Sequence, residues 1–308
     1  MIKKWLLRAG AAVVVVLLTL LVTITVRWDR RFAVPYPRLS VSTDPRLIAR
    51  GRYLAYGPAH CSDCHTAPAQ YASLKGGAQP PLSGGGAFKI PPGTIRVPNL
   101  TPDSATGIGG VSDSALARVL RYGVRPDGRA TLPFMEYHEM SDTDLVAILS
   151  FLRSQQPVRN VVPDHALTLL GKAVMAFMIK PVFPSAPPAA ASPPEGPTLE
   201  RGAYLVAAVA NCAGCHTTRS MVTGAYTGPR LAGGFEMETS GNPSIQVVSP
   251  DIRGDSAGRA GMWTEDEFLA RFHAGERIPG SPMPWQAFQH MRDDDVRAIY
   301  RYLRTVKS

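Results

Sequence analysis

The chain has 308 residues, 45% hydrophobic and 19% charged, with 28 glycines, 28 prolines and four cysteines. That length suits about two domains, and the composition excludes a disordered chain, a disulfide-dense miniprotein and a polytopic membrane protein. The net charge of +9 is no nucleic-acid footprint: residues 1–31 hold six basic side chains against one acid and flank an apolar run, where a nucleic-acid binder clusters its basic residues on the folded part. The glycine and proline content predicts long irregular connections.

Residues 9–26, AGAAVVVVLLTLLVTITV, carry no charge. Their length is close to the roughly 20 residues that cross a bilayer as a helix, and exceeds the core of a typical signal peptide. Trp5 and Trp28 lie at the two ends, where aromatic anchors sit. A cleaved signal peptide is the alternative, but no A-x-A pattern follows; the run continues directly into Arg27-Trp28-Asp29-Arg30-Arg31. The segment is therefore expected to be an uncleaved anchor. Three basic residues on each side leave its orientation open to charge alone.

All four cysteines fall in two copies of one motif, Cys61-Ser-Asp-Cys64-His65 and Cys212-Ala-Gly-Cys215-His216. C-x-x-C-H is the attachment signature of c-type haem: two thiols one helical turn apart form thioethers to the vinyl groups, and the adjacent histidine faces the iron. A redox dithiol or a zinc site is the competing reading. The two C-x-x-C pairs, however, lie 151 residues apart, each ends in histidine, and there is no spare cysteine. The motifs sit in a repeat. Arg50-Gly-Arg-Tyr-Leu54 matches Arg201-Gly-Ala-Tyr-Leu205 at the same offset of 151, and Pro80 to Gly85 answers Pro229 to Gly234. Helix starts are expected at Ser112 and Thr264, the latter with a capping box to Glu267. Two domains of one fold, each with one covalently bound haem c, follow.

An electron carrier needs both axial positions of its iron filled, and a methionine opposite histidine is usual in cytochromes c. In the second half the Pro-flanked Met283 is the candidate. In the first, the loop Thr131-Leu-Pro-Phe-Met-Glu136 offers Met135; Met140 is the runner-up, but it precedes Ser141, an N-cap with Asp144 at N3, and is expected to pack as a staple. His138 is a weaker candidate. If the first iron were open, Glu136 or His138 could serve as a distal acid or base, and the protein would be a dihaem peroxidase-like enzyme. A haem subunit of a terminal oxidase complex is a third reading. The carbonyl partner of each ligating imidazole is sought in the Pro80-x-Leu82 and Pro229-x-Leu231 loops, and propionate partners among Arg118, Arg121, Arg125 and Arg129.

Each half is expected to begin and end with a helix. Leu145, Ile148, Leu149 and Leu152 recur at helical spacing, as do Val296, Ile299, Tyr300 and Leu303. Gly51 and Gly202 in the opening helices would let Phe151 and Tyr302 of the closing ones come near. No period-two alternation indicates a sheet. Ser185–Pro197 is a Pro-rich spacer, preceded by an apolar helical stretch, residues 166–179, expected to pack between the two haem domains or to dock on a partner or the bilayer. No G-x-G-x-x-G, P-loop, nucleophile elbow or H-E-x-x-H is present.

On these motifs, together with Asn99-Leu-Thr-Pro-Asp103, Thr106-Gly-Ile-Gly-Gly110, Met140-Ser-Asp-Thr-Asp-Leu145 and Phe151-Leu-Arg-Ser154, the chain resembles the membrane-anchored multihaem cytochrome c subunits of bacterial periplasmic dehydrogenases, such as those oxidising alcohols, gluconate and aldehydes. The resemblance spans nearly everything after residue 40. It implies a mostly α fold, two tandem class I cytochrome c domains after one transmembrane helix, with His65 and His216 as proximal ligands and Met135 and Met283 as distal ones. The expected division is anchor 1–31, first domain 32–157, apolar helix and linker 158–197, second domain 198–308. Many such subunits carry three haems against two motifs here, and the first distal loop lacks the Met-Pro of the second. Haem attachment on the periplasmic side in bacteria implies a cytoplasmic N-terminus in the inner membrane. The implied role is electron transfer, not catalysis, from a dehydrogenase to an oxidase, quinone or second cytochrome, with no nucleic-acid partner.

Overall fold

The computed structural model describes residues 2–220, 225–239, 242–255 and 258–307. Helix α1 (Ile2–Arg27) is the apolar run: its best window has a mean hydropathy of 2.7, and it is long and apolar enough to cross a membrane. The remainder is mostly helical, and two stretches run through the same sequence of elements.

The first comprises α2 (Pro45–Tyr56), the motif helix α3 (Cys61–His65), a 3-10 segment (Pro68–Gly76), strands β1 (Ala87–Ile90) and β2 (Gly93–Arg96), α4 (Asp113–Tyr122) and α5 (Asp142–Ser154). Strand β3 (Ala166–Leu167) and α6 (Leu169–Phe177) follow. The second comprises α7 (Leu199–Tyr204), continued by a π-turn (Leu205–Val209), the motif helix α8 (Cys212–Cys215), strands β4 (Glu236–Thr239) and β5 (Asn242–Val248), then α9 (Arg259–Met262), α10 (Glu265–His273), α11 (Trp285–Phe288) and α12 (Asp293–Thr305).

The helix starts lie where the caps are written. Ser112, Ser141 and Thr264 each accept an amide from N3, and Glu267 completes the capping box at Thr264. Strands were not expected from the sequence, yet β1-β2-β3 and β4-β5 form two small antiparallel sheets. Four-residue strands such as β1, turned back at Pro91-Pro92, are too short to display a period, and pairing rather than pattern defines them.

In each half the opening helix crosses the closing one at a glycine. A Cβ on Gly51 would stand 1.8 Å from the Ala147 carbonyl oxygen, and one on Gly202 would stand 1.9 Å from that of Ala298. The close approach is thus to backbone. The atoms nearest Gly51 belong to the backbone of Ala147 and Ile148, and the Phe151 ring meets Tyr56 edge-on at 5.8 Å. Tyr302 does lie near Gly202, through its Cβ. Around each crossing the periodic residues pack: Leu54, Leu145, Ile148 and Leu149 in one half and Leu205, Val296, Ile299 and Leu303 in the other are buried.

The two halves are joined by a reciprocal contact. Arg50 pairs with Asp144 and Arg201 with Asp295, each within its own half. The Tyr53 hydroxyl then donates to Asp295 at 2.6 Å and accepts from the amide of Arg292, while the Tyr204 hydroxyl donates to Asp144 at 2.8 Å and accepts from the amide of Ser141. Each tyrosine so caps the first turn of the other half's last helix, satisfying an amide that has no intrahelical partner. Burial, reinforced by the neighbouring carboxylates, raises both phenol pKa values far above the ordinary range and keeps the hydroxyls protonated as donors.

Segment 158–197 lies along the first half. Asn160 bonds Ser83 and Thr106, the carbonyls of Ala189 and Ala190 receive the amides of Asp142 and Thr143, and Glu195 bridges Arg50 and Arg292. Helix α6 does not pack between the halves as anticipated. Its Gly171 fits against the Pro92 carbonyl and its partner is α1, because β3 pairs with β2 and fixes the helix beside the first sheet.

Candidate haem-binding sites

Each motif is entered through a residue in the left-handed region, His60 at φ 40° and Asn211 at φ 46°, which turns the chain sharply into a short helix and sets its two cysteines at i and i+3, about one turn apart. The four sulfurs are free of disulfides. Burial pushes the Cys61 thiol up to about 12, Cys64 up to about 11 and Cys212 up to about 12, and raises Cys215 as well. A redox dithiol needs the opposite, a thiolate favoured by its surroundings. Among the described residues, no three His, Cys, Asp or Glu side chains converge as a metal-binding group, so the zinc reading has no donor set there.

The imidazoles are prepared as ligands. His65 Nδ1–H donates to the Pro98 carbonyl at 3.0 Å and His216 Nδ1–H to that of Pro250 at 2.8 Å, which directs the lone pair of the neutral ring to Nε2. Desolvation lowers the His65 pKa to about 4 and that of His216 in the same direction, so each ring is neutral at pH 7, the form that binds a metal. The acceptors are not in the Pro80 and Pro229 loops, where they were sought. Those loops lead instead to Gly84 and Gly233, whose amides bond the carbonyls of His65 and His216. Both glycines have positive φ, 68° and 70°, and a Cβ on either would strike the backbone carrying the acceptor: Pro98 O at 2.4 Å, Pro250 C at 2.4 Å. The glycine lets the acceptor strand come close enough to hold the ring. The sequence signal was present, since both glycines belong to the repeated Pro-x-Leu-x-Gly-Gly stretch, but its partner strand lay beyond local reading.

Met135 and Met283 are half-buried, packed against the core, while Met140 and Met291 are fully buried within it, as expected of a staple at Met140. Glu136, beside Met135, accepts from Asn211 Nδ2 at 3.0 Å and faces Arg219; this contact to the other half occupies a side chain that a peroxidase reading would need as a distal acid. Arg118 and Arg121 are also committed. Arg118 donates to the carbonyls of Arg125 and Pro126 and covers the Tyr36 ring, and Arg121 donates to those of His138 and Met140 and pairs with Asp142. Arg125 and Arg129 share Asp127. The expected propionate role thus has no free guanidinium among Arg118 and Arg121: the buried carbonyls of the loop need these donors.

Each motif touches the methionine loop of the other half. The His60 ring meets Phe288 edge-on at 5.5 Å, α3 rests on α11, and Asn211 binds Glu136. His290 Nε2–H adds a bond to the Leu74 carbonyl at 2.9 Å.

Residues 199–307 match the family model for cytochrome c. This half is similar to cytochrome c. The wider chain is 33% identical over 277 residues, 85% of its length, to the cytochrome c subunit of a quinone-dependent alcohol dehydrogenase from Gluconobacter oxydans, and 30% identical over 84% of its length to the cytochrome c subunit of a gluconate 2-dehydrogenase from Pantoea cypripedii. It spans 55% and 59% of those relatives. It is also 28% identical, over 90% of the relative, to a dihaem c-type cytochrome from Cereibacter sphaeroides. The family carries covalently bound haem c, and the residues present fit that group: paired thiols on one helical turn and, next to them, a neutral imidazole held at Nδ1 with Nε2 left free.

Proposed function

We propose that the protein is a membrane-anchored dihaem cytochrome c that relays single electrons, without catalysing a substrate reaction, from a periplasmic dehydrogenase of the alcohol or gluconate type to an oxidase, quinone or second cytochrome. The observation that carries this reading is the duplicated imidazole setting: a C-x-x-C turn, a histidine held through Nδ1 by a proline carbonyl, and a positive-φ glycine closing the loop, at residues 61–98 and again at 212–250. In this reading residues 32–157 and 198–308 are two haem domains and 158–197 connects them. Cys61, Cys64, Cys212 and Cys215 would form the thioether bonds, and His65 and Met135 in one domain and His216 and Met283 in the other would ligate the iron.

Haem c, when bound, supplies a one-electron iron couple. The chain's own residues fix its setting. The Pro98 and Pro250 carbonyls make their imidazoles better donors, and the methionine thioethers, as ligands, would favour the reduced state and leave no place for a substrate. The bond of Asn211 to Glu136 and the seat of α3 on α11 bring the two sites to one seam, so an electron received at either need not cross the whole molecule. Helix α1, flanked by Arg27, Arg30 and Arg31 on the haem side, keeps both sites at the outer face of the inner membrane.

The absorption spectrum of the dithionite-reduced protein, with and without carbon monoxide, tests the reading, together with the intact mass. A mass increment of two haems and an unchanged spectrum are expected. A shift in half of the haem would open one iron and overturn the pure carrier reading; a single increment would overturn the dihaem one.

A further inference from the structure

Among the described residues outside α1, helix α6 turns an apolar face away from the body of the protein. Leu169, Leu170 and Phe177 are 57%, 55% and 44% exposed, and with Ala173 they share one side of the helix, at i, i+1, i+4 and i+8. Gly171, on the opposite side, is buried against the Pro92 carbonyl and faces the body of the protein. Phe183, just beyond the helix, is 59% exposed. Large apolar side chains grouped on an outward-facing helix call for a cover.

What covers it is indicated by α1. Helix α6 is the element on which α1 packs, and the one buried side chain of α1 is Ile24, which belongs to the uncharged run 9–26. Trp28, one turn on, lies under the Lys172 ammonium at 5.1 Å, and Arg30 donates to the Ile179 carbonyl at 3.1 Å. If α1 spans the bilayer, Ile24 stands in the last turn of the hydrocarbon zone and Trp28 in the headgroup layer. Whatever packs on Ile24 and Trp28 lies at that same depth. The exposed leucines and phenylalanine then have lipid beside them, with Lys172, Lys180, Arg27 and Arg31 level with the headgroups.

We propose that α6 is an interfacial helix, seated in the outer membrane–water boundary with Leu169, Leu170 and Phe177 among the lipid chains and the nearby lysines and arginines among anionic headgroups. A single spanning helix leaves a domain free to swivel; a second lipid contact through α6 and the sheet β1-β2-β3 gives the haem sites a fixed height and tilt over the membrane. The inference rests on the membrane reading of α1.

The test uses the full haem-loaded chain in vesicles of phosphatidylcholine and phosphatidylglycerol, with a nitroxide at one introduced cysteine: Leu170→Cys, Val16→Cys in mid-α1, or Lys307→Cys as an aqueous reference. Collision rates with oxygen and with a water-soluble nickel chelate are read by power saturation, after the haem spectrum has shown each variant to be folded; Phe177→Cys replaces Leu170→Cys if that variant does not fold. At position 170 oxygen collisions are expected to rise and nickel collisions to fall relative to position 307, towards the values at position 16. Aqueous values at 170 with lipid values at 16 overturn the seating of α6 alone, and aqueous values at 16 overturn the spanning reading of α1. Loss of both collision rates at 170 means a protein surface, from a second copy or a partner subunit, covers the face, and the lipid proposal fails.

Discussion

On the histidine side the two halves are built alike, and on the methionine side they are not. His65 and His216 reach proline carbonyls 33 and 34 residues away, past glycines of nearly equal φ. The loops bearing Met135 and Met283 share one bracing contact, made by different residue types, and differ in the rest. In the first, Arg121 enters from α4 to satisfy the carbonyls of His138 and Met140, and the Tyr137 hydroxyl reaches the Ala59 carbonyl. In the second, His273 stands at the place of Arg121 and bonds the Gln289 carbonyl and Asp293, while Arg271 lies over Trp285 at 3.9 Å and donates to Gly275, and the loop is shaped by α11. The histidine side is dictated by main-chain distances that allow one solution. The methionine side is filled by side chains, for which several packings serve. Differences in potential between the two sites should therefore arise from the methionine loops.

The largest disturbance should come where both halves depend on backbone contact. Gly51→Val and Gly202→Val each drive a side chain into a carbonyl and should cost about 3 kcal/mol or more, read as thermal unfolding of the holoprotein at the haem band. If one half tolerates the change, the two crossings are not equivalent.

Met135→Ala and Met283→Ala sharpen the contrast. Each should open half of the haem to carbon monoxide in the reduced spectrum while the fold persists. A silent Met135→Ala would mean that the first loop ligates through another residue.

Tyr53→Phe and Tyr204→Phe each remove one charge-assisted hydrogen bond and uncap one helix, for about 1–2 kcal/mol apiece. Guanidinium unfolding should give similar losses for the two. A clear inequality would break the reciprocity of the joint.

The smallest effect concerns acid. Thr106 donates to Asp103 through its hydroxyl and amide and lowers its pKa; at Asp251 burial works against ionisation, but the Arg253 hydrogen bonds more than offset it. A carboxylate held below its unfolded value of 3.8 stabilises fully above that value and ceases to as pH falls through the folded one. Asp103→Asn and Asp251→Asn should therefore lower the midpoint slightly at neutral pH and lose that deficit as the pH falls below about 4, so that the acid decline is flatter than in the parent.

Much of this was legible in the chain. The motifs fixed the histidines, the offset of 151 fixed the halves, and Ser141 and Thr264 marked helix starts because capping is local chemistry. Three things were not. The proline acceptors lie over thirty residues from their imidazoles, and only the folded loop joins them. The four-residue strands β1, β2 and β4 are too short for a period. Arg118 and Arg121 resemble a solvated helix face until the carbonyls they satisfy are seen behind them.

The tyrosine joint has a consequence for the chain as a polymer. Each half presents the same donor and the same acceptor, so the surface is self-complementary, as in a twofold dimer. The connecting segment holds its two copies at a high mutual concentration. Severed there, the halves should still recognise each other, and either one alone should find a second copy of itself.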